Sequence, residues 1–426
     1  MAKSKMFRRA AQLAATAILA ASGIAGSPNV ALATTPVLAL TEGDIFSATT
    51  IASYAITIDS AGVSKLNNDP THYVPATITV SAPNRTPQTL NVGVRLKGST
   101  SMQKLDQQPS FKIKFDYKAS GHPRFLNAFK RMTLNAMTQD SSKLHEYAAY
   151  LMFRSMNVPA PRTGWGQVTV NGVTKGLYAN IETEDEIFAG KNYKDVTQHI
   201  YEGTAFADVN VGNDSGTENT GPFLADYGYK AVPNKSDLTA LINANQLSGA
   251  AWYKAMVKVS DRAEMIREFA VENFLGHWDG YSGVDINNYY LRSNSKGVFS
   301  IQPWGADQTF GEDRNQDSPT YRSNFFYPLV SQRSNQPWMG YGARGMMYVK
   351  CIRYAPCLKE YLLDLKATSA KASSLKLTTL MTKASAVVNT FGRVSADQIR
   401  EQKRTIAWVT TQQKNVAQAL KDNGIK

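Results

Sequence analysis

"VGVRLKGSTSMQKLDQQPSFKIKF", residues 92–115, reads as two strands joined by a loop. In the first, Arg95 and Lys97 alternate with Val94 and Leu96, so both cations leave by one face. In the second, Phe111, Ile113 and Phe115 face a core and send Lys112 and Lys114 to the other side. The small residues Gly98-Ser99-Thr100-Ser101 between them make a turn whose backbone N–H groups suit an anion. Arg95, Lys97, Lys112 and Lys114 can therefore converge on a phosphate. The plainer alternative is a set of solvent-facing cations on a sheet.

The same period of two continues on both sides. From about Ile45 to Glu184, runs such as "YAITI", "ATITV", "QVTV" and "GLYANI" are punctuated by glycine and Asn-Gly turns. One helix interrupts them, "SSKLHEYAAYLMFRSM", with Leu144, Ala148, Leu151 and Met152 at helical spacing after Asp140-Ser141-Ser142. Residues 203–230 are polar and turn-rich, the mark of a surface insert. Beyond them "SDLTALINANQ", "SDRAEMIREFAVENFLGHW", 357–390 and 396–423 read as helices. The pattern predicts an α+β fold of two lobes: a β-rich one over 45–190 carrying one packed helix, and a mostly helical one over 191–426. That is the layout of a bilobal nucleotide-binding enzyme, yet neither G-x-x-x-x-G-K-[ST] nor G-x-G-x-x-G occurs.

The chain has 426 residues, 43% of them hydrophobic, enough for a substantial core. Residues 1–33 place Lys3, Lys5, Arg8 and Arg9 ahead of a short alanine-rich apolar run and end at Ala31-Leu32-Ala33. This reads as a signal peptide with its cleavage site, the alternative being an anchor helix that stays attached. No later window is apolar for about 18 residues, so no transmembrane segment is expected after signal removal. A secreted or cell-surface protein follows. In such a compartment Cys351 and Cys357 favour one local disulfide over two free core thiols. The formal net charge is +13, and residues 341–426 hold 15 Lys and Arg against 5 Asp and Glu. That balance suits an acidic or envelope-associated partner, or is simply a solvated helical face. It carries no nucleic-acid motif.

Two further stretches carry chemistry. In "LGHWDGYSGVDINNYYL", residues 275–291, Asp279 follows an amphipathic helix and Asn287-Asn288 precede an aromatic strand. In "SIQPWGADQTFGED", residues 300–313, a strand ends shortly before Asp307, and Gly311 lets the chain turn away. An Asp, then an Asn, then a strand and another Asp is the order in which phosphoryl-transfer sites present a base and two metal ligands. Asp279 reads as the base, with Asn288 and Asp307 as the ligands. The alternative is that both aspartates cap turns. Neither G-x-S-x-G nor a convincing His partner supports a serine hydrolase, and no zinc spacing is present.

Taken in order, "VGVRLKGSTS", "PSFKIKF", "RMTLNAMTQDSSKLHEYAAYLMFRSMNVPAPR", "VNGVTKGLYANIE", "FLGHWDGYSGVDINNYYL" and "IQPWGADQTFG" resemble the signature blocks of the CotH (spore coat protein H) kinase family, over about residues 50–420. The resemblance implies a bilobal, atypical protein-kinase-like fold using ATP and Mg²⁺. It implies Asp279 as the catalytic Asp, Asn288 and Asp307 as metal ligands, and Lys97, Lys112 or Lys114 as the phosphate lysine with Glu146 as its ion-pair partner. Glu182 matches an acidic residue near the lobe junction, and Tyr178 or Trp304 would stack on adenine. The implied function is a secreted protein kinase acting on Ser/Thr of envelope or spore-coat-type proteins. One departure stands out: the family block reads P-W-D-x-D-x-T-F-G, and Gly305 replaces its first Asp. His145 also stands where the family often has Arg. These two changes motivate the alternative, a catalytically weak surface or matrix binding module.

Overall fold

The computed structural model describes residues 38–98, 101–118, 120–121, 123–203, 207–210, 223–225, 234–283, 286–311 and 345–425. The expected signal peptide, Ser99-Thr100 of the expected turn and most of the 203–230 insert lie outside the described residues.

In chain order, β1 (Leu38–Ala39) and α1 (Glu42–Ile45) lead into β2 (Ile51–Thr57), α2 (Ser60–Asn68), β3 (Val74–Ser81), β4 (Arg85–Thr86) and β5 (Gln88–Lys97). Next come β6 (Ser110–Lys114), β7 (Arg131–Asn135), α3 (His145–Ser155), β8 (Thr163–Val170), β9 (Val173–Glu182) and α4 (Glu186–Asn192). Then follow β10 (Thr197–Gly203), β11 (Phe223–Ala225), α5 (Ser236–Gln246), α6 (Gly249–Val259), α7 (Arg262–Leu275), β12 (Tyr289–Asn294) and β13 (Phe299–Pro303). The described chain ends in α8 (Met346–Arg353), α9 (Ala355–Ser374), α10 (Leu377–Val388) and α11 (Ala396–Asp422).

The alternating runs close on themselves. The strand order β2-β3-β5-β6-β7-β9-β8 forms a closed barrel, antiparallel except where β2 meets β8. Tyr54 and Ile56 of β2, Val94 and Leu96 of β5, and Phe111 and Ile113 of β6 fill its interior. Their neighbours Arg95, Lys97, Lys112 and Lys114 are half-buried on the outer face. Closure removes the unpaired edges that an open sheet would leave.

A second core spans α3, the antiparallel sheet β11-β10-β12-β13 and the carboxy-terminal helices. The protein is therefore a mixed α+β chain with a sheet-rich amino-terminal part and a helix-rich carboxy-terminal part. Helix α3 packs against β8, α7 and α9, so it touches both parts. It is not the single helix of the amino-terminal part: α2, capped by the Asp59 carboxylate, packs on β3. The sequence hides α2 because only Gly62 and Leu66 are buried in its nine residues, too few for a periodic signal. The expected boundary at 190/191 falls inside α4, whose true start is fixed by Asp185, which caps the Ile187 and Phe188 amides. Cys351 and Cys357 form a disulfide joining α8 to α9, with Cα atoms 5.0 Å apart.

Candidate functional site

The cationic strands supply one wall. Arg95 pairs with Lys112 across β5 and β6, and Lys97 pairs with Ser110. The four cations share a face but do not meet at one point. Arg95 lies 5.5 Å from the centroid of the Tyr73 ring and donates to the Leu96 carbonyl. Lys114 reaches Asp116 at 4.0 Å. Lys97, the last residue of β5, lies 5.6 Å from the Trp304 ring centroid and acts electrostatically on both Glu146 and Asp307.

Helix α3 supplies Glu146. Its start is built by Asp140, whose carboxylate accepts from the backbone N–H of His145 at 2.8 Å and of Lys143 at 2.8 Å. Asp140 thereby satisfies the His145 amide, one of those the first turn of α3 leaves open. Glu146, 3% exposed, accepts a hydrogen bond from Asn135 Nδ2 at 2.9 Å. Burial holds its carboxyl well above the ordinary range; Asp307 adds to the rise and Lys97 opposes it.

Strand β13 delivers Asp307. Its carboxylate, 8% exposed, is also raised by burial, with Lys97 and a hydrogen bond from Asn135 working the other way. Asn135, at the end of β7, thus bridges Glu146 and Asp307. Sequence reading passed over it, since an asparagine ending a strand is ordinary turn chemistry.

Asp279 follows the left-handed Gly276 that ends α7. The Glu272 carboxylate gathers the loop behind it, accepting from the backbone N–H groups of Tyr281 at 3.0 Å and Ser282 at 2.6 Å. Asp279 Oδ2 accepts from Asn288 Nδ2 at 2.5 Å and from Gln308 Nε2 at 3.3 Å. Its carbonyl accepts from the Asn288 amide at 2.7 Å. His277 donates from Nε2 to the Trp304 carbonyl at 3.1 Å, tying this loop to the one that carries Asp307. His277 and Gln308 were also missed in the sequence, because their partners lie 27 and 29 residues away.

Gly305 has φ 52°, and a Cβ built on it would lie 2.6 Å from Asn288 Cγ. The absent side chain is what lets this backbone close on Asn288.

Two expected nucleotide contacts have other places. Tyr178 is buried in the barrel interior, tilted against Phe111, and donates to the Pro109 carbonyl at 2.9 Å. It cannot stack on a ligand outside the barrel. Glu182 binds Arg162 through both oxygens, at 2.8 and 2.7 Å, and so closes the end of β9 on the strand before it. Trp304 stays at the site, 6% exposed and tilted against Tyr290.

Of the residues expected to hold a divalent cation, Asp307 offers one carboxylate and Asn288 one amide oxygen, while Asn288 Nδ2 is engaged by Asp279. Among the described residues no three His, Cys, Asp or Glu side chains are grouped as a metal site. A cation fits here only as a shared ion, with further oxygens supplied by a phosphate ligand, the mode in which Mg²⁺ is commonly held. The buried, mutually repelling pair Glu146 and Asp307 is consistent with a cation beside them.

The candidate site thus sets a half-buried Lys97 beside the buried Glu146 and Asp307, in a protein built of a barrel and a helix-rich part. The particular family is shown by the family model for CotH kinase protein, which matches residues 94–344: the chain belongs to the CotH kinase family. Lys97, Glu146, Asp279, Asn288 and Asp307 all fall inside that stretch. Inner spore coat protein H of Bacillus subtilis (strain 168) is 24% identical over 207 residues, covering 48% of this chain and 56% of that protein. The chain thus spans about half the length of this curated relative. Among solved structures, the Helicobacter pylori proinflammatory kinase CtkA is similar at TM-score 0.32 and 11% identity, over 72% of this chain and 95% of that one. The Shewanella oneidensis MR-1 HipA, HipB and operator DNA complex gives TM-score 0.33 and 8% identity, over 85% and 71%. At such scores neither likeness carries over to any residue or role.

Proposed function

We propose that the protein is a Mg²⁺- and ATP-dependent phosphotransferase acting on Ser/Thr hydroxyls of an acceptor protein. The observation that carries this reading is the joint placement of Lys97, Glu146 and Asp307 from a strand, a helix and a loop, with Asn135 linking the two acids. Lys97 binds a phosphate oxygen and Glu146 holds its ammonium in place. Asp307 and the Asn288 oxygen hold the cation, which when bound neutralises charge on the transferring phosphate. Asp279, aligned by the Asn288 and Gln308 amides, accepts the proton of the acceptor hydroxyl. In this reading the barrel and the helical part are the two lobes of one domain. The likeness to a protein named for the inner spore coat supports an exported, coat or envelope setting, and the basic carboxy-terminal helices support an acidic acceptor.

A second reading, a binding module with weak or no turnover, is favoured by Gly305. The Asn288 side chain occupies the space that a carboxylate side chain at position 305 would need. Incubation with Mg²⁺ and γ-labelled ATP separates the two. Label transferred to protein hydroxyls and lost in Asp279→Asn supports the phosphotransferase; nucleotide binding with no transfer supports the module.

A further inference from the structure

One short stretch of α11 bonds to the segments that carry Glu146, Asp307 and Asp279. Gln402 Nε2 donates to the Ser142 carbonyl at 3.2 Å, just ahead of α3 and Glu146. Arg404 Nη1 donates to the Gly311 carbonyl at 2.6 Å, behind Asp307. Trp408 Nε1 donates to the Phe274 carbonyl at 3.0 Å, before Asp279. The Trp408 ring lies against Gly276 and Gly311, where a Cβ would come within 2.6 and 2.5 Å of ring carbons. Residues 402, 405 and 408 are three apart, so they share one helix face.

Thr405 lies at the centre of that face, fully buried, and its hydroxyl is 3.0 Å from His145 Nε2. The other ring nitrogen of His145 is 2.7 Å from the backbone carbonyl of Asp307. A carbonyl only accepts, so Nδ1 carries a proton and donates to the Asp307 carbonyl, while Nε2 is paired with the Thr405 hydroxyl. His145 is itself fully buried, its ring 5.4 Å from that of Phe310. It is also the residue before Glu146. One imidazole therefore joins α11, the start of α3 and the backbone of Asp307. The family match ends at residue 344, so α11 lies beyond it.

We propose that His145 is a positioning residue through which α11 sets the backbone of Asp307, making the carboxy-terminal helix a built-in control element of the site. His145 touches no reacting atom. It acts by fixing where the Asp307 carboxylate stands relative to Glu146 and Lys97. A disturbance of α11 then reaches the metal-holding residue without passing through the barrel.

The activity readouts rest on the phosphotransfer reading; hydrogen exchange does not. In His145→Asn the amide nitrogen can still donate to the Asp307 carbonyl, whereas His145→Leu removes that donor. The proposal expects His145→Leu to lower kcat, or Mg²⁺-dependent ATP affinity, by about 10- to 100-fold, in line with losses at residues that orient metal ligands. It expects His145→Asn to recover most of this at an equal or lower melting temperature, and Thr405→Val to give a smaller loss of the same kind. Amide exchange over residues 305–311 should quicken in His145→Leu and Thr405→Val, and return toward wild type in His145→Asn. If the wild type binds no nucleotide, the phosphotransfer reading fails and the exchange pattern alone decides this proposal. Equal losses in the Leu and Asn variants, or unchanged exchange over 305–311 in His145→Leu, overturn it.

Discussion

The barrel interior and the region beneath it are built on opposite terms. Inside the barrel the side chains are apolar almost throughout, and a buried hydroxyl such as that of Tyr178 finds a backbone carbonyl. Beneath it, Glu146, Asp307, Glu184, Glu264 and Glu268 are all buried, and burial raises the pKa of each. Neither oxygen of the Glu184 carboxyl has a hydrogen-bond partner among the described residues. The barrel stabilises the fold, whereas the buried carboxyls cost stability and are the groups a charged ligand can engage.

The largest effect expected from breaking this contrast is on chemistry. Asp279→Asn should leave ATP binding intact and lower turnover by about 10²- to 10⁴-fold, the usual contribution of a general base. Single-turnover transfer assays beside binding titrations check the split.

Next comes the barrel. Ile113→Ala, at a fully buried position, should destabilise by about 2 to 5 kcal/mol in denaturant unfolding. ATP affinity of the folded fraction should stay unchanged. A comparable loss of affinity would mean that the two regions are not separable.

The cations differ among themselves. Lys97→Ala should weaken ATP binding by about 1.5 to 3 kcal/mol, the range for a hydrogen bond to a charged group. Lys114→Ala, whose ammonium faces Asp116, should change it little. Gly305→Asp should not tighten Mg²⁺-dependent binding, because a side chain there displaces Asn288.

The last effect is on pH dependence. Burial pushes Glu264 up to about 8, while the Ile301 N–H that donates to its carboxylate opposes the rise. Its folded pKa exceeds its unfolded value near 4.3, so the folded state holds a proton that the unfolded state has lost. Stability from this group is complete below about pH 4 and is lost as pH rises to about 8, by at most about 1.4 kcal/mol per pH unit. Glu264→Gln should flatten that part of the slope in melting temperatures measured from pH 5 to 8.

Much of this was legible in the chain because period two and period 3.6 are local. The strands around 92–115 and the helix over 396–422 follow from spacing alone; α7 is a helix as expected, but it is buried on nearly every face rather than amphipathic. The place of Asp307 just beyond a strand was legible because Trp304 before it and Thr309-Phe310-Gly311 after it punctuate the chain. Asn135 was not, since its role depends on β7 lying between β6 and β9, beside the start of α3. The places of Tyr178 and Glu182 were misjudged for a related reason. Alternation separates the two faces of β9 without saying which one closes inside a barrel, and Arg162, the partner of Glu182, lies twenty residues earlier. Helix α6 was hidden for another reason: exposed apolar residues such as Ala251 and Val257 stand beside the buried Trp252 and Met256 and blur the period.

The central claim is that Asp307 is the carboxylate through which this site holds a cation on ATP. Calorimetric titration of ATP into wild type and Asp307→Asn, each with and without Mg²⁺, tests it most directly. The account predicts that Mg²⁺ tightens binding to the wild type and makes no difference to Asp307→Asn. An Asp307→Asn protein that binds ATP as tightly as the wild type, with the same dependence on Mg²⁺, would contradict it.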